Sequence, residues 1–296
     1  MIVRCMDPFS HKVPGAVTEF RCAVSYAGFM DHKVSVPVGD PNHSAAFFDI
    51  DQTLIKGASA YHIARALYKR GFFGKRDIAF ATWHALIYRY FGEDPGRIRR
   101  VVNHFLKVAE GNSAEELRQL TSDLYDEIFA SRIFPGTRAI LDDHLKYGQE
   151  VWLVSATPHL VSQVFAERMG ATGSIGTRVR VDGHGRFIPE LEGDIMHQRR
   201  KSIAVIRLAS TRNLVLANSY AYGDSANDLP MLSLVGHPCA INPEPLLRLV
   251  ALERGWPIYN FRRRRVDVKK VIKRGAQTAL GALVVSDILR RFTRWF

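Results

Sequence analysis

The sequence predicts an α/β fold, a doubly wound parallel sheet with an inserted α-helical cap. Beyond residue 134, short apolar runs alternate with stretches of helical spacing, which is typical of repeated strand–helix units. An apolar strand near 45–50 stands apart from these units. It is followed by 58–132, a stretch almost free of proline in which apolar residues recur at three- and four-residue steps. We therefore expect about four helices to be inserted after the first strand.

The same patterns divide the chain into four segments. Residues 1–43 mix proline, glycine and histidine without periodicity, and we expect a flexible leader. The α/β catalytic core comprises 44–56 and 134–260, the helical cap 57–133, and a basic, amphipathic tail 261–296. The core elements predicted after the cap are a helix at 136–147, a strand at 150–154, a helix at 158–168, a hairpin of 174–181 with 186–188 around a glycine-rich turn, a helix at 198–208, strands at 213–222 and 237–241, and a helix at 244–253.

Composition limits the class of protein. With 296 residues, 47% of them hydrophobic, the chain can bury one large core, and disorder of the whole is excluded. The net charge of +12 fits anionic partners, namely phosphorylated small molecules, nucleic acid or an acidic membrane surface. The cysteines show no zinc or disulfide spacing, and no apolar run reaches the roughly 18 residues of a spanning helix. We expect a cytoplasmic protein, with a peripheral position at the inner face of the membrane as an alternative.

Two acids at the end of the first strand are candidate functional residues. In an extended strand Asp49 and Asp51 point to the same side, where two carboxylates repel each other and lose solvation unless a cation or a substrate compensates. Asp49 is suited to attack a phosphoryl group, and Asp51 to protonate the leaving oxygen and later act as base. Asp51 then needs a raised pKa, for which the neighbouring Asp49 carboxylate is a plausible cause.

Other polar residues follow the later strands. Ser155, with the N–H groups that open the 158–168 helix, can donate hydrogen bonds to a phosphate oxygen, and Lys201 supplies a positive charge. A solvated basic face beside Arg199 and Arg200 remains the alternative for Lys201. Asp224 is suited to Mg²⁺, which prefers hard oxygen ligands. Asp228 can cap a helix while it supports the metal.

Together these residues resemble the haloacid dehalogenase superfamily of aspartate-nucleophile phosphatases over about 45–255. Four motifs of that superfamily have counterparts here, namely Asp49-x-Asp51-x-Thr53, Ser155, Lys201 and Gly223-Asp224-Ser225-x-x-Asp228. The inserted helices place the chain with the subclass IB branch, which has a Rossmann-like core, a small helical cap and includes phosphoserine phosphatases. The step from Lys201 to Asp224 is similar to the spacing in that branch.

The resemblance implies a role for each matched residue. Asp49 is then the nucleophile and a metal ligand, and Asp51 is the general acid and base with its backbone carbonyl on the metal. Asp224 is the remaining protein ligand to Mg²⁺, and Asp228 supports the metal without binding it directly. The phosphoryl group is held by Ser155, Lys201 and Asn227.

One position departs from phosphoserine phosphatases. These enzymes carry a glutamate nine residues after the nucleophile, used to recognise the substrate's amino group, and here that position is Ala58. Ser155-Ala156-Thr157-Pro158 also lacks the double glycine common after that serine. The sequence therefore predicts a Mg²⁺-dependent phosphomonoester hydrolase acting on a small phosphorylated metabolite or a lipid phosphate. Phosphoserine phosphatase and phosphotransferase activities are the alternatives.

The C-terminal tail has a composition of its own and suggests a separate function. Arg262 to Arg265 precede a stretch with helical spacing whose apolar stripe consists of Leu280, Val284, Ile288, Phe292 and Trp295. Basic residues next to such a stripe fit an anionic membrane surface, contacted through 262–296, and equally a helix that packs on the protein or a partner. A membrane-surface binding protein is therefore the non-enzymatic alternative. Nucleic acid is not expected, since no aromatic residues are interleaved with the basic run.

Overall fold

The computed structural model describes residues 40–71, 74 and 95–262. Its strands are β1 (Ala45–Phe48), β2 (Glu150–Pro158), β3 (Gly173–Thr177), β4 (Val179–Val181), β5 (Phe187–Leu191), β6 (Tyr220–Gly223), β7 (His237–Ile241) and β8 (Ile258–Tyr259). Its helices are α1 (Ser59–Lys69), α2 (Pro95–Ala109), α3 (Ala114–Leu124), α4 (Pro135–Lys146), α5 (His159–Met169), α6 (Arg199–Arg212), α7 (Leu229–Leu232) and α8 (Pro245–Glu253). Short turns of other helix types lie at Pro41–His43, Tyr125–Phe129, Ala130–Arg132, Leu216–Asn218 and Ala226–Asp228.

Six of the described strands form one parallel sheet. Its order is β3-β2-β1-β6-β7-β8, while β4 and β5 form a separate antiparallel hairpin. β1 lies inside the sheet, where Phe48 is in register with Leu153 on one side and with Tyr222 on the other. The chain winds outward from β1 in one direction and from β6 in the other. In a doubly wound sheet the ligand crevice lies at this switch point, at the carboxyl ends of the strands.

Helices cover both faces of the sheet, which explains the apolar run of β1. All four of its residues are buried, and they alternate between two cores: Ala46 and Phe48 belong to one, Ala45 and Phe47 to the other. The first core takes side chains from α3, α4 and α5, and the second from α6, α7 and α8. A strand with both faces buried needs continuous hydrophobicity. The α/β prediction is thus confirmed.

The inserted helices between β1 and β2 are α1, α2 and α3 in the described part of the chain. Leu120 and Leu124 of α3 join the same core as Phe48. The insertion therefore shares part of its apolar surface with the sheet. Residues 75–94, which belong to the predicted cap, lie outside the described residues.

Two sequence-based boundaries are wrong. Residues 174–177 belong to β3, which pairs in parallel with β2, and only β4 and β5 form the predicted hairpin around 182–185. The strand predicted at 213–222 is confined to β6 at its end, because Asn213 ends α6 in a left-handed conformation and a helical turn occupies Leu216–Asn218. β8 was not predicted, since two residues are too few to show a pattern.

The segment after β8 is fixed to the core. The Asn242 side chain accepts hydrogen bonds from the N–H groups of Phe261 and Arg262 and donates one to the carbonyl of Gln52. The Phe261 ring occupies the space that a Cβ at Gly136 would need. The predicted leader lies mostly, and the tail almost entirely, outside the described residues. Among the described helices, none combines the length and apolar character that a membrane span requires.

Candidate active site

Three neighbouring strands deliver the predicted residues to one edge of the sheet. Asp49 follows β1, Ser155 lies in the last part of β2, and Asp224 follows β6. The backbone N–H of Asp49 donates to the carbonyl of Tyr222 at 2.9 Å, so the β1–β6 ladder extends to the first acid. The crevice expected from the topology therefore contains the acids that the sequence singled out.

A cluster of carboxylates forms at this edge. Asp49, Asp224 and Asp228 each place a carboxylate oxygen within 4.8 Å of the other two, a grouping found among the described residues. The cluster contains oxygen donors without histidine or cysteine, which fits Mg²⁺. The Asp51 side chain lies outside the cluster, so its predicted contribution through a backbone carbonyl is compatible with this arrangement.

The pKa values of these acids show how poorly their charges are compensated. Burial raises the pKa of Asp49 to about 8, with Asp228 and Asp51 adding to the effect and Lys201 opposing it. Burial, Asp49 and Asp228 raise the pKa of Asp224 to about 9. Both shifts mean that the ionised cluster needs more positive charge than the protein supplies. A divalent cation would remove this deficit.

Lys201 lies in the first turn of α6 and is the cation of the cluster. Its Nζ lies 2.5 Å from Asp49 Oδ1 and 2.7 Å from Asp228 Oδ1. Burial by itself lowers the Lys201 pKa, but the Asp228 and Asp49 carboxylates outweigh it and raise the pKa above its ordinary value. Lys201 is buried, whereas its neighbours Arg199 and Arg200 are exposed. Lys201 is therefore not part of a solvated basic face.

Asp228 has two functions at once. One oxygen accepts from Lys201, and the other accepts from the N–H groups of Asp224 and Ser225 and from the Ser225 hydroxyl. A Cβ at Gly223 would lie 2.6 Å from the Cβ of Asp228, so glycine is needed for this close approach. Asp228 thus organises the turn that carries Asp224 while it belongs to the charged cluster.

Asp51 contacts the inserted helices. Its Oδ1 accepts a hydrogen bond of 2.7 Å from the N–H of Ser59, the first residue of α1. Burial is the main reason that its pKa is raised, and the Ser59 hydrogen bond opposes the shift. The direction agrees with the sequence-based expectation. The cause does not, because burial rather than the Asp49 charge is the largest contribution.

The residues predicted to hold a phosphoryl group occupy the same edge. Ser155 is buried, and its Oγ accepts hydrogen bonds from the N–H and the hydroxyl of Thr157, at 3.2 and 3.0 Å. Because Ser155 Oγ is the acceptor in both bonds, its own hydroxyl hydrogen is left for donation. Asn227 is half-buried in the turn after β6, and its Oδ1 accepts from Gln198 Nε2 at 3.2 Å. Gln198 directly precedes α6, the helix of Lys201.

The arrangement corresponds to a known family. The family profile described as haloacid dehalogenase-like hydrolase matches residues 46–233, which contain all of these residues. The chain belongs to this family.

Relatives of this haloacid dehalogenase-like chain include phosphatases. A Mycobacterium tuberculosis protein named phosphoserine phosphatase SerB1 is 42% identical over 238 residues, 80% of this chain and 76% of that protein. A putative hydrolase from Mycobacterium leprae is 40% identical over 252 residues, 84% and 82% of the two chains. The crystal structure of a Bordetella pertussis protein of unknown function matches with a TM-score of 0.66 at 26% identity, covering 74% of this chain and 99% of that one. The chain is a phosphatase of the haloacid dehalogenase-like family.

Several polar residues around the haloacid dehalogenase-like site were not predicted. Thr157 could have been found from its position two residues after Ser155. Glu244, whose Oε1 accepts from the N–H of Ala226 at 2.6 Å, and Arg262, whose NH2 lies 3.2 Å from Asp224 Oδ2, come from distant parts of the chain. No local pattern marks them, because their relation to the site depends on how the sheet brings β6, β7 and β8 together.

Proposed function

We propose that the chain is a Mg²⁺-dependent phosphomonoester hydrolase that acts through an aspartyl-phosphate at Asp49. The observation that carries the proposal is the buried contact of Lys201 with both Asp49 and Asp228 within a carboxylate cluster. Asp49 and Asp224, with the backbone carbonyl of Asp51, would hold the ion. When bound, Mg²⁺ would neutralise charge between the nucleophile and the phosphoryl group.

In the first step an Asp49 oxygen attacks phosphorus, and the bond from phosphorus to the leaving oxygen breaks. Asp51 donates its proton to that oxygen, so the alcohol leaves neutral and Asp51 becomes a carboxylate. The burial that raises the Asp51 pKa supports its protonated starting form. In the second step Asp51 takes a proton from water and the water oxygen attacks phosphorus. The bond from phosphorus to the Asp49 oxygen breaks, which releases inorganic phosphate and restores the Asp49 carboxylate.

The remaining residues bind and orient the phosphoryl group. Lys201 Nζ lies beside the attacking carboxylate and would contact a phosphoryl oxygen as negative charge moves onto it. The Ser155 hydroxyl and the Asn227 amide would contact the other oxygens, in orientations set by Thr157 and Gln198. The helices between residues 57 and 133 would act as a cap that excludes bulk water from the aspartyl-phosphate.

Substitution of the nucleophile tests the proposal. Asp49→Asn removes the attacking carboxylate with little change of shape, and we expect Mg²⁺-dependent phosphate release from p-nitrophenyl phosphate to disappear. Asp142→Asn is the matched control, because Asp142 pairs with Arg138 on a partly exposed face of α4. Circular dichroism should show both variants folded. Substantial Mg²⁺-dependent activity in Asp49→Asn would refute the assignment.

The same assay separates hydrolysis from phosphoryl transfer. A phosphotransferase would share these residues and differ in the acceptor that replaces water in the second step. Phosphate release measured against phosphorylation of an added alcohol, such as glycerol, decides between them. We expect inorganic phosphate to account for most of the cleaved ester.

Phosphoserine is the substrate-level alternative. The relative named phosphoserine phosphatase SerB1 favours it. Ala58 argues against it, because an alanine side chain offers no carboxylate to a substrate ammonium group. The kcat/KM for phosphoserine, compared with those for other small phosphomonoesters and for lysophosphatidic acid, tests the substrate class. A clear preference for phosphoserine would show that another residue replaces the missing glutamate.

The relation of the tail to membranes stays a prediction. Arg262 is the last described residue, so the basic run begins directly beside the site. Flotation with anionic liposomes, for the full chain and for a chain ending at 262, would show whether the tail binds lipid. A cytoplasmic protein held at the inner face of the membrane predicts flotation of the full chain alone.

A further inference from the structure

A basic pocket lies beside the acid cluster. It is a cavity of about 450 Å³ to which three cationic side chains contribute, Lys56, Arg132 and Arg262. Ile133, Phe134 and Phe261 form its apolar wall. The volume falls within the range of roughly 300–1,000 Å³ that is usual for small-molecule sites.

The positive charge of this basic pocket exceeds the negative charge around it. Among the described acids, Asp224 pairs with Arg262 at 3.2 Å, and none pairs with Lys56 or Arg132. The lining includes no acidic residue. Three cations around one cavity repel one another and favour an anion between them.

The basic pocket is built on fixed backbone. The N–H of Lys56 donates to the carbonyl of Arg132 at 2.8 Å, and Ile55 bridges Ile133 in antiparallel fashion. The buried Asn242 side chain accepts a hydrogen bond from the N–H of Arg262, in the segment after β8, and donates one to the carbonyl of Gln52. The two chain segments that connect the insertion to the sheet therefore carry two of the cations, and the segment after β8 carries the third.

Arg262 links the basic pocket to the site. One end of its guanidinium group contacts Asp224, a member of the carboxylate cluster, while the side chain also lines the pocket. A molecule whose phosphoryl group lies at Asp49 could thus extend past Arg262 and reach Lys56 and Arg132.

We propose that the basic pocket binds a second anionic group, a carboxylate or a phosphate, of the phosphomonoester substrate. This inference rests on the proposed function, since it places the first phosphoryl group at Asp49. It defines the substrate class as small phosphomonoesters with a second negative group joined through an apolar or planar part that contacts Phe134 and Phe261.

Binding of non-hydrolysable probes tests the pocket. The probes are phenylphosphonate and two derivatives that carry a carboxylate or a second phosphonate at the far end of the ring. Three proteins are compared. They are the wild type, a pocket variant that carries both Lys56→Gln and Arg132→Gln, and a control that carries both Lys107→Gln and Lys146→Gln. The control removes two exposed charges outside the lining. Gln keeps the backbone N–H of residue 56 and the carbonyl of residue 132, so the connection between the segments is retained.

Calorimetry with Mg²⁺ should show that the added anion strengthens binding to the wild type and to the control. In the pocket variant this gain should fall by about tenfold, as expected for loss of charged hydrogen bonds. The proposal would be overturned if the added anion raised the affinity equally in all three proteins. It would also be overturned if neither derivative bound the wild type more tightly than phenylphosphonate does.

Added sulfate distinguishes a substrate group from a separate anion. Sulfate should weaken binding of the two derivatives more than that of phenylphosphonate. Sulfate that binds without weakening either derivative would assign the pocket to a free anion and overturn the substrate assignment. Turnover of the corresponding phosphate esters reports on the hydrolase itself: absent turnover with an intact binding gain rejects the proposed function and leaves the pocket supported.

Discussion

The Asp51 carboxylate accepts a hydrogen bond of 2.7 Å from the backbone N–H of Ser59, the first residue of α1. This contact joins the proposed acid and base directly to the inserted helices. A carboxylate near a helix N-terminus is stabilised in its ionised form, because free N–H groups point toward it. Burial raises the Asp51 pKa and the helix opposes that rise, so the position of α1 tunes the proton affinity of Asp51.

Removal of that N–H should move the pH dependence of turnover. Ser59→Pro deletes the donor at a position where proline is compatible with a helix, and Ala58 before it already has an extended conformation, with φ −102° and ψ 121°. Loss of a hydrogen bond to the carboxylate raises the Asp51 pKa. The alkaline limb of kcat, where the acid loses its proton, should shift to higher pH.

The control for this variant is Ser59→Ala, which keeps the backbone N–H. We expect its alkaline limb to stay closer to the wild-type position. A shift in Ser59→Ala as large as that in Ser59→Pro would show that the backbone hydrogen bond does not set the Asp51 pKa.

Lys201 should contribute to stability as well as to phosphate binding. Lys201→Met leaves Asp49 and Asp228 buried without their cation, and the free energy of unfolding should fall by roughly 3 kcal/mol. Adding Asp228→Asn removes one of the uncompensated charges and should recover part of the loss. Urea unfolding in EDTA measures both. No recovery in the double variant would show that the loss comes from packing rather than charge.

Metal binding should stabilise the folded chain. A cation that binds the folded cluster of Asp49, Asp224 and Asp228, and not the unfolded chain, raises the unfolding temperature with its concentration. We expect Mg²⁺ to raise the Tm of the wild type and of Asp123→Asn, whose carboxylate pairs with Arg70 away from the cluster. Asp224→Asn should lose most of this effect. An equal rise in Asp224→Asn would place the ion elsewhere.

His144 should make stability depend on pH. Its Nδ1 lies 2.5 Å from Gln149 Oε1 and its Nε2 2.8 Å from the Tyr222 hydroxyl, in a fully buried network. Burial lowers the His144 pKa from 6.5 to about 4, although the Gln149 hydrogen bond opposes this shift. The unfolded chain therefore binds a proton between these pH values that the folded chain does not. The contribution of neutral, buried His144 to the free energy of unfolding is complete above pH 6.5 and is lost as the pH falls toward 4.

The expected loss is about 3 kcal/mol over that interval, from a slope near 1.4 kcal/mol per pH unit. Comparison with His144→Gln isolates it: the difference in unfolding free energy between wild type and variant should shrink by this amount from pH 7 to pH 4. A difference that does not vary with pH would mean that folding leaves the His144 pKa unchanged.

Local patterns predicted most of the core. The helices at 136–147, 158–168 and 244–253 and the strand at 237–241 agree with α4, α5, α8 and β7 to within about two residues. The boundary of the hairpin was predicted wrongly because 174–177 and 179–181 are both short and mix apolar with polar residues, and only pairing with β2 distinguishes the first from the second. The sequence also predicted the wrong cause for the raised Asp51 pKa. The main cause is burial, which is a property of the assembled protein and not of a local pattern.

The sequence by itself identified the candidate residues for the proposed reaction and their order, because the acids and Ser155 follow apolar strands and, with Lys201, match the motifs of the family that the chain resembles. The tertiary structure decided which groups meet. It placed Lys201 between Asp49 and Asp228, Ser59 on Asp51, and Arg262 on Asp224. The contacts of Lys201 and Arg262 join residues far apart in the chain, so they depend on sheet order and helix packing, which periodicity alone does not specify.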